Sequence, residues 1–408
     1  MNTKVVISKE SIYILFLFYL IPVLDTFGLL VNNYFPFLIV FRGVTFFLGL
    51  YIVLTSNYIS LVIKFLIFCL IFYLFTTFLF HFLIFSPEST LEINKIIKLI
   101  YFPLTFLALF VLRNNEIVSD LDIEKVIFRY GYLIFLSLFL GYITGFGGQI
   151  GGRGTNIEAS KGFMIGANEV GLMLILTVPF FFMRLRTRLS VINTSLISLV
   201  FYTIGGIMVF TKSSLIALLV VLWYLFINLK DLTSVKRKLV KYILYFCFFW
   251  SILYIYANNS LIIEFMMSSF FNSLIEGDIV GFFFRGRQNY IEGIFPQLYE
   301  SSNNWITYLF GIGEFKIRNL SEMPLQLKPG GGTLFEMDFF DLFAMFGVFG
   351  FTLYSILLVV IIKVCRTTNF KLLFVLVFLH AFMAGHVLFS PQVTTLLSFT
   401  LIYNIIKK

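Results

Sequence analysis

Arg285 and Arg287 stand in FFFRGRQNYIEG, directly behind a strongly apolar run that would hold both guanidinium groups at a lipid surface. Arg153 lies in a glycine-rich segment, GFGGQIGGRGTNIEASK, while Lys212 and Arg318 fall in polar breaks of the chain. Guanidinium groups make paired hydrogen bonds to phosphate oxygens and keep their charge when partly buried. A diphosphate carried on a membrane lipid would meet them at that depth. Contact with ordinary phospholipid headgroups is the competing reading for each, and for Lys161, Lys316 and Lys328 nearby.

A second group is acidic. In TLFEMDFFDLFAMFGVFG, the carboxylates Glu336, Asp338 and Asp341 gather just after the turn-rich run from Lys328 to Thr333. If the stretch is helical, Asp338 and Asp341 share a face and Glu336 points away from Asp338. A carboxylate in semi-apolar surroundings can serve as a general base. Acidic residues also favour helix N-termini through the helix dipole, so a purely structural reading stands beside the catalytic one.

Other polar residues fall within apolar runs, where they need partners. Asp25 and Arg42 sit at similar depth in adjacent runs and suit either a structural ion pair or a role in a watery cavity. Asn168 and Glu169, in GFMIGANEVG, read as hydrogen-bonding groups, and His386, in GHVLFSPQ, as an interface histidine; both Asn168 and His386 are carried as supporting residues. His81 and His380 read as packing residues. Three scattered cysteines form no CxxC pair, and three histidines offer no metal-binding pattern, so neither a metal nor a cofactor is expected.

The elements that must position these residues follow from composition. The chain has 408 residues, 59% hydrophobic and 12% charged, with 55 phenylalanines and a mean hydropathy of +0.96. A soluble domain carries roughly 25% charged residues. An ordinary soluble enzyme is excluded, and an all-α polytopic membrane protein is expected. The net charge of +9 belongs with cytoplasmic loops, not nucleic acid.

A membrane-crossing helix needs about 20 apolar residues. Spans are predicted over residues 11–30, 37–54, 61–82, 96–112, 126–143 and 163–183. The remaining ones are 191–210, 213–229, 240–256, 339–362, 372–386 and 393–406, making about twelve. Basic clusters then fall after alternate spans, at Arg113–Arg129, Arg184–Arg188, Lys230–Lys241 and Lys363–Lys371, together with Lys4, Lys9, Lys407 and Lys408. That alternation puts both termini in the cytoplasm and the arginines discussed above outside. The expected organisation is helices one to nine over residues 1–256, a large external loop with interfacial helices over 257–337, and helices ten to twelve over 338–408.

On these residues the chain resembles the O-antigen polymerase and ligase superfamily of bacterial envelopes. The resemblance is carried by RGTNIEASKGFMIGANEVG, FTKSSLIALL, FRGRQNYIEGIFPQLYESSNNWITYLFGIGEF and EMDFFDLFAMFGVFG. It implies a GT-C-like, metal-independent glycosyltransferase of the bacterial plasma membrane, acting on undecaprenyl-diphosphate-linked glycans at the outer face. It also implies that Arg153, Lys212, Arg285, Arg287 and Arg318 bind the diphosphate, and that a flippase and a chain-length regulator are partners. Ligases of the family usually carry a histidine near the end of the large loop. Here Glu336 or Asp338 takes that region, which favours a repeat-unit polymerase over a ligase. A lipid-linked oligosaccharide flippase is the alternative from another class, but related halves with short loops would be expected of it.

Overall fold

The computed structural model describes residues 8–32, 37–84, 91–147, 149–150, 159–164, 167–186, 305–322, 337–364, 371–385 and 387–403, with isolated positions at 197–198, 201–202, 205, 209, 284, 287, 291 and 334. Long apolar runs form helices here because a buried backbone must satisfy its own hydrogen bonds. The chain is a multi-pass membrane protein: five described helices are long and apolar enough to cross a bilayer. Apart from those isolated positions, the spans predicted over 191–256 lie outside the described residues, as does most of the large loop.

The first predicted span is not one smooth helix. It runs as α1 (Lys9–Leu15), a π-helical turn (Phe16–Leu20), α2 (Ile21–Thr26) and α3 (Gly28–Asn32). Pro22 has no N–H to give residue 18, which lies in the π-helical turn, and its ring crowds that carbonyl. The next elements match their apolar runs closely: α4 (Phe37–Thr55), α5 (Leu61–Ile84), α6 (Leu91–Asn114) and α7 (Asp120–Thr144). A two-residue ladder, β1 (Gln149–Ile150) with β2 (Ala159–Ser160), precedes α8 (Ala167–Arg186). Then follow α9 (Trp305–Phe310), α10 (Gly313–Glu322), α11 (Asp338–Val364), α12 (Lys371–Ala384) and α13 (Pro391–Tyr403).

Polar residues at the turns set the boundaries. Ser119 and Asp122 cap α7 reciprocally, with Asp122 N–H on Ser119 Oγ at 3.2 Å and Ser119 N–H on Asp122 Oδ2 at 3.3 Å. Lys64 Nζ donates to the Leu54 carbonyl at 2.8 Å, satisfying the end of α4. The run expected to reach His386 stops at Ala384, because Gly385 (φ 61°) turns left-handed there.

The chain divides into two compact units. The first comprises residues 1–20, 39–123 and 283–408. At its centre α13 lies against α6, and residues 391–402 of α13 are all buried. Helices α9 and α10 pack on α11, and α11 on α5.

The second unit comprises residues 21–38 and 124–282. Here Asp25 is fully buried and accepts from Tyr130 Oη at 3.0 Å. Ser137 Oγ bridges α7 to two backbone segments, donating to the Thr26 carbonyl at 2.7 Å and accepting from Phe163 N–H at 3.0 Å. Gly162 lies so close to the Ser137 carbonyl that a Cβ would stand 2.7 Å from it. The β1–β2 ladder brings together the ends of the glycine-rich segment that contains Arg153. Arg153 itself is outside the described residues.

Candidate functional site

Within the first unit, the sequence YLFGIGEF makes the turn between α9 and α10. Gly311 (φ 74°) and Gly313 (φ 75°) are both left-handed, a conformation that glycine adopts without strain. The turn docks where α11 breaks at Gly347 (φ 64°, ψ −170°). The break frees the Ala344 carbonyl, which accepts from Ile312 N–H at 2.9 Å. A side chain on Gly311 would overlap the Met345 carbonyl, and one on Gly347 the Leu309 carbonyl, so the two backbones meet without intervening side chains. Tyr73 Oη, from α5, reaches both the Leu309 carbonyl at 2.8 Å and the Phe346 carbonyl at 2.7 Å. One hydroxyl proton thus serves two acceptors at the junction.

Beside this junction lies a buried polar chain. His81 Nδ1 is 2.8 Å from Glu92 Oε2, and His81 Nε2 is 3.3 Å from the Gly311 carbonyl. Glu92 Oε1 accepts from Glu314 N–H at 3.0 Å. Glu314 Oε1 in turn accepts from Arg318 Nη2 at 2.7 Å and Nε at 3.0 Å. His81 and Glu92 are fully buried, whereas the Arg318 side chain keeps 38% of its surface exposed. A carbonyl oxygen only accepts, so Nε2 donates to Gly311, while Nδ1 and Glu92 Oε2 share one proton between them.

The first turn of α11 carries Asp338 and Asp341, both buried. Asp338 Oδ2 accepts two backbone N–H groups, from Val387 and Leu388, each at 2.7 Å. That carboxylate therefore holds the turn leading into α13. Lys95 of α6 extends its ammonium over the Phe389 ring of the same turn, 5.3 Å from the centroid. Arg287 is buried in a turn whose Phe284 ring meets Phe382 of α12 edge-on.

Of the residues read from sequence, Arg287, Arg318, Asp338 and Asp341 are thus described in the first unit. Arg42 lies half-buried on α4 of that unit, and Asn168 stands in the first turn of α8, in the second. Arg153, Lys212, Arg285, Glu336 and His386 lie outside the described residues. The reading of His81 as a packing residue changes: it is bonded at both nitrogens. Glu92, Glu314 and Tyr73 were not singled out from sequence. One signal was legible, an ionisable residue in the last turn of an apolar helix, which needs a partner. Among the described residues no group of three or more His, Cys, Asp or Glu side chains is placed to hold a metal ion.

Residues 266–407 match the family model described as O-antigen ligase like membrane protein. That match supports, over this segment, the resemblance to the O-antigen polymerase and ligase superfamily. The matched segment is about the last third of the chain and contains the turn, the break in α11 and the acidic first turn. His81 and Glu92 lie outside it, so the matched segment is anchored by groups on α5 and α6. No curated protein and no solved structure matches the chain.

Proposed function

We propose that this protein is a glycosyltransferase that joins undecaprenyl-diphosphate-linked oligosaccharide repeat units into a surface polysaccharide at the outer face of the plasma membrane. The observation that carries the reading is the glycine junction of the superfamily segment. It packs the arginine-bearing α10 against α11, whose first turn is acidic. Cation and carboxylate are the two groups that transfer from a diphosphate requires.

In the reaction proposed, a hydroxyl oxygen of one lipid-linked repeat attacks the anomeric carbon of a second glycan. The new C–O bond forms as the bond to the diphosphate breaks. Lipid diphosphate departs with the electron pair, and the hydroxyl proton passes to a carboxylate. Attack opposite the leaving group inverts the anomeric centre. Arg285, Arg287 and Arg318 offset the charge gathering on the diphosphate, which lets the reaction run without a metal. Arg153 and Lys212 carry the same assignment from sequence. Glu336 is the preferred base, because one oxygen of Asp338 is already engaged by two backbone donors.

The test is to reconstitute the purified chain with a lipid-diphosphate repeat unit and resolve the products on a gel. An evenly spaced ladder is expected. The matched family's description favours one second reading, a ligase. Transfer of a single glycan to a lipid-anchored acceptor, with no ladder, would establish it. Movement of substrate between leaflets with no new glycosidic bond would overturn both.

A further inference from the structure

The buried chain from His81 to Arg318 links two apolar helices to a cation assigned to substrate. It begins on α5 at His81 and crosses to Glu92 at the start of α6. From there it reaches the N-terminus of α10 through Glu314 N–H. It ends at the partly exposed Arg318 guanidinium, held by the Glu314 carboxylate one helical turn away. The fit is close on every side. A side chain at Gly313 would overlap Glu92 Oε1 and stand 2.8 Å from His81 Nδ1. Glu92 Oε1 and Oε2 are separately committed, one to the backbone of α10 and one to the His81 ring.

We infer that His81 and Glu92 are positioning residues for Arg318, fixing α10 so that its guanidinium is presented to the lipid diphosphate. The inference rests on the lipid-diphosphate reading above. Two long side chains that only packed the helix ends would not need both carboxylate oxygens and both ring nitrogens engaged. With Arg318 on a short helix, loss of the clasp leaves the cation intact but misplaced, and a displacement of about 1 Å is enough to forfeit much of an oriented contact. The chemistry also predicts which replacement is tolerated. In Glu92→Gln the amide oxygen can still accept from Glu314 N–H, and the amide nitrogen can donate to His81 Nδ1. The ring then donates from Nε2 alone to Gly311, so all three bonds survive in a neutral tautomer.

The probe is undecaprenyl diphosphate, bound to the purified full-length chain in nanodiscs. Dissociation constants would be measured for wild type, His81→Ala, Glu92→Ala, Glu92→Gln, Arg318→Ala and the double variant His81→Ala/Arg318→Ala. His81→Ala, Glu92→Ala and Arg318→Ala are each expected to weaken binding about tenfold, and the double variant no further than Arg318→Ala alone. Glu92→Gln is expected to bind within about twofold of wild type. If His81→Ala does not purify as a folded protein, Glu92→Asp carries the same test, since it keeps the charge and withdraws the carboxylate by one methylene. Wild-type affinity in both His81→Ala and Glu92→Ala would overturn the inference, as would a double variant that loses the product of the two single effects. Equal damage from Glu92→Gln and Glu92→Ala would also overturn it. Absence of binding by wild type would overturn the lipid-diphosphate reading itself, and this inference with it.

Discussion

Asp338 and Glu336 are two positions apart and are asked to do different work. Asp338 holds the Val387–Leu388 turn through one oxygen, so Asp338→Ala should destabilise the protein by roughly 3 kcal/mol, the cost of orphaning buried donors of a charge-assisted pair. Asp338→Asn keeps an acceptor oxygen there and should retain most of that stability; thermal unfolding in detergent compares the two. Glu336→Gln should unfold like wild type while polymer yield falls by at least about 100-fold, the usual contribution of a positioned base. Full ladder formation by Glu336→Gln would remove it from the mechanism. The shared face of Asp338 and Asp341 was legible from their i, i+3 spacing. The partners of Asp338 were not, because they lie 49 and 50 residues further along the chain and are backbone groups, which no residue type advertises.

Among the helices, the junction between the α9–α10 turn and α11 depends on glycine at several points and on one hydroxyl. Gly347→Ala must accept a backbone conformation (φ 64°, ψ −170°) that essentially only glycine adopts, costing about 1–3 kcal/mol, and must also push back the Leu309 carbonyl. We expect it to lower the unfolding temperature and to uncouple α9 and α10 from α11, read as faster hydrogen exchange over residues 305–322. Tyr73→Phe removes the proton shared by two carbonyls and should cost roughly 1–2 kcal/mol by the same measurements. The apolar runs placed the ends of α4 to α8 and α11 to α13 to within about six residues, the polar first turns of α6 and α7 lying outside the predicted spans, since run length and hydropathy dominate helix choice in a bilayer. The π-helical turn over residues 16–20 is traceable to Pro22. The break inside α11 was not foreseen, although FGVFG contains its glycine: a single glycine in an apolar helix does not say whether another backbone will approach it.

Taken whole, the chain is a membrane protein in which basic clusters alternate with outward-assigned segments carrying other arginines. Reporter fusions should place the turn after Arg113 and the one after Lys363 in the cytoplasm, and the α9–α10 turn on the opposite side. In the reconstituted reaction, a chelator should leave the glycan ladder unchanged, because arginines carry the charge compensation proposed here. Loss of the ladder in chelator and its return with a divalent cation would refute that part of the mechanism.

The membrane class, the approximate positions of α4 to α8 and α11 to α13, and the chemical inventory followed from composition and apolar run length, because a bilayer imposes one rule on every residue that crosses it. Pairing followed different physics. Whether His81 packs or bonds, and which carboxylate is spent on backbone, depend on contacts between segments far apart in the chain, such as His81 with Gly311 and Asp338 with Val387. Those contacts are set by glycines that let backbones touch and by buried donors that must find acceptors, and both conditions exist only once the helices are assembled.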